Sequence, residues 1–199
     1  MSDPPFPVML DLAGRPVLLV GAGRVALRKA GQLLACGARI TVLAPEIDPG
    51  FDALDVTIER RAFAAGDTDG FRLVVTATGD RRVDQAIFDE ADARGIWINS
   101  ADDPQRCSFI LPAVHRQGPI TVSVSTAGSS PALASWLRAE LGALIGPEFA
   151  DLAADLAAER AAVQATGAST EDIDWRPIIE AKLRERGIAP LAARDGVTP

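Results

Sequence analysis

Val17-Leu18-Leu19-Val20-Gly21-Ala22-Gly23-Arg24-Val25-Ala26 sets an apolar run ahead of two glycines and a helix-patterned stretch that continues to Leu34. Strand, glycine turn and helix in that order are the opening of a dinucleotide-binding unit. Gly21 permits the tight turn, Gly23 lets a pyrophosphate approach the backbone, and Ala26 is small enough for the helix to pack on the strand. The phosphates then meet the helix N-terminus, where free N–H groups and the helix dipole favour anions. Cys36-Gly37 ends the helix with a residue suited to a left-handed cap, and Arg39-Ile40-Thr41-Val42-Leu43 follows as a second buried strand. One βαβ unit is thus readable from Pro16 to Ala44.

An acidic ribose ligand normally stands about twenty residues after the glycines, at the end of the second strand. Leu43, Ala44 and Pro45 occupy that place, with Glu46 the nearest carboxylate. The choice between NAD and NADP stays open on this chemistry.

The alternation continues with a short strand at Val56-Thr57-Ile58, a strand from Phe71 to Thr78 and a helix from about Arg82 to Arg94 with Val83, Ala86, Ile87 and Ala91 on one face. Ile96-Trp97-Ile98 is the next strand. The polar runs Thr76-Ala77-Thr78-Gly79-Asp80 and Asn99-Ser100-Ala101-Asp102-Asp103-Pro104 then converge with the glycine turn, because parallel sheets place ligands outside the carboxyl ends of their strands. Thr76 and Thr78 join Gly21 and Gly23 as cofactor candidates by that position.

From Phe109 the pattern changes. Phe109 to Arg116 and Ile120 to Ser125 read as two strands joined through Gln117-Gly118-Pro119. A helix follows, with Ser130 as N-cap and Pro131 in its first position. Leu133, Leu137, Leu141 and Leu144 lie on one side of it, and Trp136 widens the apolar face. Two further helices are predicted, from about Glu148 to Gln164 with Phe149, Leu152, Leu156 and Val163 on one stripe, and from about Asp174 to Arg186. The end, Ala192 to Pro199, reads as frayed. The fold class is therefore α/β: a Rossmann-type parallel-sheet domain over residues 1–112, a strand–helix segment over 113–146 and a C-terminal helical module over 147–199.

Composition restricts the partners. The 199 residues carry a formal charge of −7 and are 48% hydrophobic, which argues for a globular protein and against nucleic acid, whose binding needs a basic surface. No apolar run approaches the roughly 18 residues of a transmembrane helix, and the start lacks a basic region leading into an apolar one, so no membrane association and a cytoplasmic location are expected. Cys36 and Cys107 are far apart and read as reduced thiols. No histidine or cysteine spacing fits a resident metal. His115, the only histidine, lies in a strand pattern without a paired carboxylate and reads as a structural histidine with its hydrogen bonds satisfied.

Two readings stand for Asp102 and Asp103. Asp-Asp-Pro is ordinary turn chemistry, while a carboxylate beside the nicotinamide side can take a proton as the cofactor takes hydride. Arg28 and Lys29 are either a solvated helix face or counter-charge for an acidic ligand. Gly128-Ser129-Ser130 can serve the same end, because amides at a helix start accept carboxylates.

Four blocks together resemble the siroheme synthase N-terminal family, the precorrin-2 dehydrogenases with or without sirohydrochlorin ferrochelatase activity. They are Gly14-Arg15 with Val17 to Gly23, Val25-Ala26 and Arg28-Lys29; Thr76-Ala77-Thr78 with Asp80; Asn99 with Asp102-Asp103-Pro104, Cys107, Phe109 and Pro112-Ala113; and Gly118-Pro119-Ile120 with Ser123, Ser125-Thr126, Gly128, Ser130-Pro131 and Leu137-Arg138. The resemblance implies NAD-dependent oxidation of precorrin-2 to sirohydrochlorin, with Asp102 as the catalytic aspartate and, in chelating members, Fe(II) as a further substrate. It implies that Arg24, Val25, Pro45 and Glu46 line NAD, and that Thr126 matches a serine phosphorylated in some relatives. It also implies a homodimer built through the second half of the chain. The tetrapyrrole is a polycarboxylate, and Arg28, Lys29, Ser125, Thr126, Gly128 and Ser130 are the residues expected to hold it, with Arg106, Arg116 and Arg138 as further cations. Asp84 departs from the family, which commonly has asparagine there. A module that senses NAD without chemistry is the rival reading; it gives no reason for the Asn99 or Gly128 blocks.

Overall fold

The structure, a computed structural model, describes residues 5–101 and 103–189. It divides into two compact units, residues 1–110 and 111–199.

In the first unit five parallel strands form one sheet in the order β3-β2-β1-β4-β5. Their ranges are β1 Pro16–Val20, β2 Arg39–Leu43, β3 Thr57–Glu59, β4 Leu73–Thr76 and β5 Trp97–Ser100. β1 is central because Val17-Leu18-Leu19-Val20 is apolar on both faces, as a strand covered on both sides must be. Alternation along it feeds two cores. Val17 and Leu19 join Val42 and Val75 under Ala26, Ala30 and Leu33 of helix α1 (Arg24–Leu34). Leu18 and Val20 join Val74 and Ile98 under Ile87 and Ala91 of helix α2 (Arg81–Ala93). With α1 and α2 on opposite faces, the connections leave β1 in opposite senses, and a crevice opens at that switch point between β1 and β4.

The expected strand from Phe71 to Thr78 is corrected to Leu73–Thr76; the Ala77 N–H still donates to Val20 O at 2.8 Å, and the polar run starts there. The segments Pro49–Ala53 and Pro104–Arg106 are single 3-10 turns, each capped by an aspartate, Asp48 on the Gly50 N–H and Asp103 on the Gln105 N–H. Local capping chemistry at Asp-Pro makes both.

In the second unit β6 (Ala113–Gln117) and β7 (Ile120–Val124) pair antiparallel through Gly118-Pro119. The expected strand from Phe109 is corrected to begin at Ala113. Pro112 has no N–H to donate, and the Phe109 carbonyl is taken by Asn99 Nδ2 at 3.0 Å. Helix α3 (Pro131–Ala143) packs on both strands, and α4 (Pro147–Ala165) packs on them and on α5 (Trp175–Glu185).

On α3 the leucine face is largely turned outward. Small residues, Ala134 and Gly142, are the ones buried, while Leu133, Trp136 and Leu141 are exposed, Trp136 to 58%. The His115 ring lies so close under Gly142 that a Cβ there would stand 2.7 Å from Nδ1. A close helix–hairpin approach therefore selects small residues. His115 is structural in this packing, yet its Nε2 is shielded with no hydrogen-bond partner among the described residues, contrary to the satisfied histidine expected. Among the described residues no helix is long and apolar enough to cross a membrane. Ala192 to Pro199 lies outside the described residues.

Candidate functional site

The glycine turn does two separate jobs. Gly21 has φ +98°, and a Cβ on it would overlap the carbonyl oxygen of Ala77; its N–H donates to Leu43 O at 2.9 Å. The turn after β1 is thus wedged between the ends of β2 and β4, where only glycine fits. Gly23 is different. It has φ −85° and ψ −174°, caps α1 without a side-chain hydrogen bond, and a Cβ on it would meet nothing within 4 Å. The first amides of α1 have no capping side chain there, which leaves donors and the positive dipole end for an anion.

Around this turn the structure gathers most of the predicted cofactor residues. Arg24 is exposed and Val25 half-buried in the first turn of α1. Pro45 and Glu46 are exposed just after β2, and the loop they belong to is tied to the glycine turn by Asp48 N–H donating to Ala22 O at 3.0 Å. Thr78 is half-buried; its hydroxyl donates to Asp84 Oδ1 at 2.8 Å and accepts from Asp80 N–H at 3.1 Å. Thr76 is corrected. It is fully buried, and its hydroxyl donates to Ser100 Oγ at 3.1 Å, so it joins β4 to β5 behind the site and presents nothing to a cofactor.

On the β4–β5 side lies a cleft of about 800 Å³ lined by Val25, Ala77, Asp84, Ala101, Asp103 and Arg106. Asp103 is fully engaged: it pairs with Arg106 and with Arg81 at 3.7 Å, and caps Gln105. Arg106 in turn donates to Gln85 Oε1 at 2.8 Å. Asp102 lies outside the described residues. The described residues before and after it are anchored, Ala101 N–H to Thr76 O at 2.8 Å and Cys107, whose Sγ accepts from Ser100 N–H at 3.3 Å and lies 3.2 Å from Asp103 O. Burial pushes the Cys107 thiol above its ordinary range, against the opposing pull of the Ser100 amide and the Lys29 charge. A second cleft, of about 760 Å³ and lined by Arg15, Phe71, Arg72 and Trp97, opens at the amino ends of the strands and lies away from the glycine turn.

Of the residues expected to hold substrate, Arg28 is exposed on α1, while Lys29 is half-buried and donates to Asn99 Oδ1 at 3.0 Å. Lys29 is therefore part of the wall between α1 and β5, while Arg28 stands on the exposed side of α1. The second unit carries the other group. Ser125 Oγ accepts from Ala127 N–H, Thr126 Oγ1 closes the turn onto Ser130 N–H at 3.0 Å, and Ser130 Oγ caps Leu133 N–H. Gly128 is exposed in the same turn, with Ala127 at φ +51° before it. Asp84, Asn99 and Cys107 are site elements whose contacts the motifs did not give. Their partners lie 4 to 70 residues away in sequence; the motifs contain Asn99 and Cys107, and the departure at Asp84 marks that position, but none of them names the partner. Among the described residues no group of three His, Cys, Asp or Glu is disposed to hold a metal.

A doubly wound sheet with an open helix N-terminus behind a Gly-x-Gly turn defines a Rossmann-type dinucleotide-binding protein. Residues 8–113 match the family model described as "Putative NAD(P)-binding", and residues 117–144 match that of the central part of sirohaem biosynthesis proteins. The chain belongs to this family, which is the siroheme synthase N-terminal family that its sequence resembles. Siroheme synthase 2 of Aeromonas hydrophila is 43% identical over 152 residues, 74% of this chain and 32% of that protein. Siroheme synthase of Chromobacterium violaceum is 39% identical over 189 residues, 90% of this chain and 40% of that protein. The chain thus spans about a third to two-fifths of the length of these curated relatives. Among solved structures, the precorrin-2 dehydrogenase SirC superposes with a TM-score of 0.72 at 25% identity, over 90% of this chain and 96% of that one.

Proposed function

We propose that this chain oxidises precorrin-2 to sirohydrochlorin with NAD⁺, in the cytoplasm, as a step of siroheme synthesis. The observation that carries the reading is the likeness to SirC, which takes in nearly the whole of both chains and so includes the second unit as well as the nucleotide domain. A sensing module needs only the first.

The residues fit the cofactor. Gly23 leaves open space at the N-terminus of α1 for the pyrophosphate, with Arg24 and Val25 beside it. The segment from 40 to 59 contains no lysine or arginine and carries Glu46 where the ribose is expected, which favours a 2′-hydroxyl over a 2′-phosphate and hence NAD over NADP. When bound, the cofactor would supply the hydride acceptor. The protein must then take a proton from the tetrapyrrole. Asp103 is already neutralised by Arg106 and Arg81, which leaves Asp102 as the acidic residue of this loop for that role.

Arg28, Lys29, Ser125, Thr126, Gly128 and Ser130 are proposed to hold the tetrapyrrole's carboxylates, and the exposed Leu133, Trp136 and Leu141 to pair two copies of the chain. The test is a titration with NAD⁺ and with NADP⁺, followed by incubation with precorrin-2 and NAD⁺ and a chase with Fe(II). Tighter NAD⁺ binding and appearance of the sirohydrochlorin spectrum are expected; NAD⁺ binding without any tetrapyrrole oxidation would favour the sensing module. Loss of that spectrum on adding Fe(II), relative to a protein-free control, would extend the activity to chelation.

A further inference from the structure

Asp84 is a buried carboxylate, 8% exposed, yet it lines the cleft on the β4–β5 side. Its Oδ1 accepts from the Thr78 hydroxyl at 2.8 Å, and that hydroxyl is itself fixed by the Asp80 N–H. Thr78 donates, so Asp84 accepts. Asp84 also stands in the first turn of α2, where the dipole stabilises negative charge. No ion pair to Asp84 occurs among the described residues, whereas Asp103, across the same cleft, has Arg106 and Arg81.

The charges around the cleft therefore run as follows. Arg81 and Arg106 are positive, and Asp103 and Asp84 are negative. Among the described residues of this lining, Asp84 is the carboxylate without an arginine partner.

The two states of a nicotinamide cofactor differ by one charge at the ring end. The ring is cationic when oxidised and neutral when reduced, while the pyrophosphate end is the same in both. A fixed carboxylate in a partly desolvated cleft separates them far better than one in water.

We propose that Asp84 is the residue by which this chain selects the oxidised cofactor: its carboxylate faces the ring end of the dinucleotide, favours NAD⁺ over NADH, and so speeds exchange of spent cofactor. This rests on the proposed NAD site and assigns a role within it.

The experiment compares NAD⁺ and NADH affinities by calorimetry for the unmodified protein, for Asp84→Asn and for Asp92→Asn. Asp84→Asn keeps the acceptor for Thr78 and removes only charge. Asp92→Asn makes the same change on the exposed far end of α2. The unmodified protein should bind NAD⁺ more tightly than NADH. Asp84→Asn should lower that ratio about tenfold, mainly by weakening NAD⁺, and Asp92→Asn should leave it within twofold. A folded Asp84→Asn protein with the unmodified ratio would overturn the proposal while leaving the NAD site intact; absence of NAD⁺ binding by the unmodified protein would overturn both. A measurement without any substitution adds a second test. Nicotinic acid adenine dinucleotide, which carries an extra carboxylate on the ring, should bind the unmodified protein at least tenfold more weakly than NAD⁺, and equal binding would also overturn the proposal.

Discussion

Two single-methyl substitutions, Gly21→Ala and Gly23→Ala, separate the structural from the binding role of the glycine turn. At Gly21 the backbone is at φ +98°, and the new Cβ would stand 2.6 Å from Ala77 C as well as overlapping its oxygen. The left-handed conformation alone costs about 1–3 kcal/mol for a non-glycine residue. The overlap is with backbone, which cannot swing away, and brings the total to about 3–5 kcal/mol. For a chain of this length that lowers the midpoint of thermal unfolding by about 6–20 °C.

At Gly23 the conformation suits any residue and the Cβ meets nothing within 4 Å. The only structural cost is the poorer N-cap, about 0.5–1 kcal/mol. The methyl does enter the space reserved for the pyrophosphate, so NAD⁺ affinity should fall about 10- to 100-fold, the loss expected when the close backbone approach is blocked. The assay is paired: thermal unfolding without ligand, and calorimetric titration with NAD⁺. Gly21→Ala should fail the first and Gly23→Ala the second. Unchanged melting of Gly21→Ala, or full NAD⁺ affinity in Gly23→Ala, would refute the division of labour.

Three further predictions concern other parts of the molecule. Burial works to raise the Glu90 carboxyl, but the Thr68 hydroxyl and the Gly66 and Thr68 amides outweigh it and hold the group below the ordinary carboxylate range. A depressed folded pKa contributes stability above the unfolded value near 4.3 and loses it as pH falls, so Glu90→Gln should cost about 1–3 kcal/mol at neutral pH and flatten the acid limb of denaturant-derived stability. Cys107, with its thiol pushed up by burial, should alkylate slowly at neutral pH, and Cys107→Ala should lower kcat more than it changes NAD⁺ affinity, read from steady-state kinetics and titration. Trp136→Glu should convert a sedimenting dimer to a monomer at micromolar concentration without unfolding the chain, because Trp136 is already 58% exposed; a monomer in the unmodified protein would contradict the pairing.

The first unit was legible because its signals are local. The apolar run of β1, the glycine turn and the apolar face of α2 each specify their element from neighbouring sequence, and parallel topology then brings Gly21, Thr78 and Ala101 together. The inward-facing hydroxyl of Thr76 was not legible: the same polar type at a strand end serves a ligand or a neighbouring strand, and only the partner, Ser100, decides. Lys29 on Asn99 and Cys107 on Ser100 are likewise tertiary pairings. On α3 the leucine spacing marks an apolar face but not whether it is core or surface, since helical periodicity cannot tell the two apart. The His115 ring beneath Gly142 made the small residues the inner side.

Anaerobic mixing of the purified protein with precorrin-2 and NAD⁺ tests the central claim most directly, with NADH and sirohydrochlorin absorbance followed together. NADH should appear in step with sirohydrochlorin, one for one. Asp102→Asn should retain NAD⁺ affinity while its turnover falls by roughly 10²-fold or more. Sirohydrochlorin formed no faster than in a protein-free control, despite measurable NAD⁺ binding, would contradict the account.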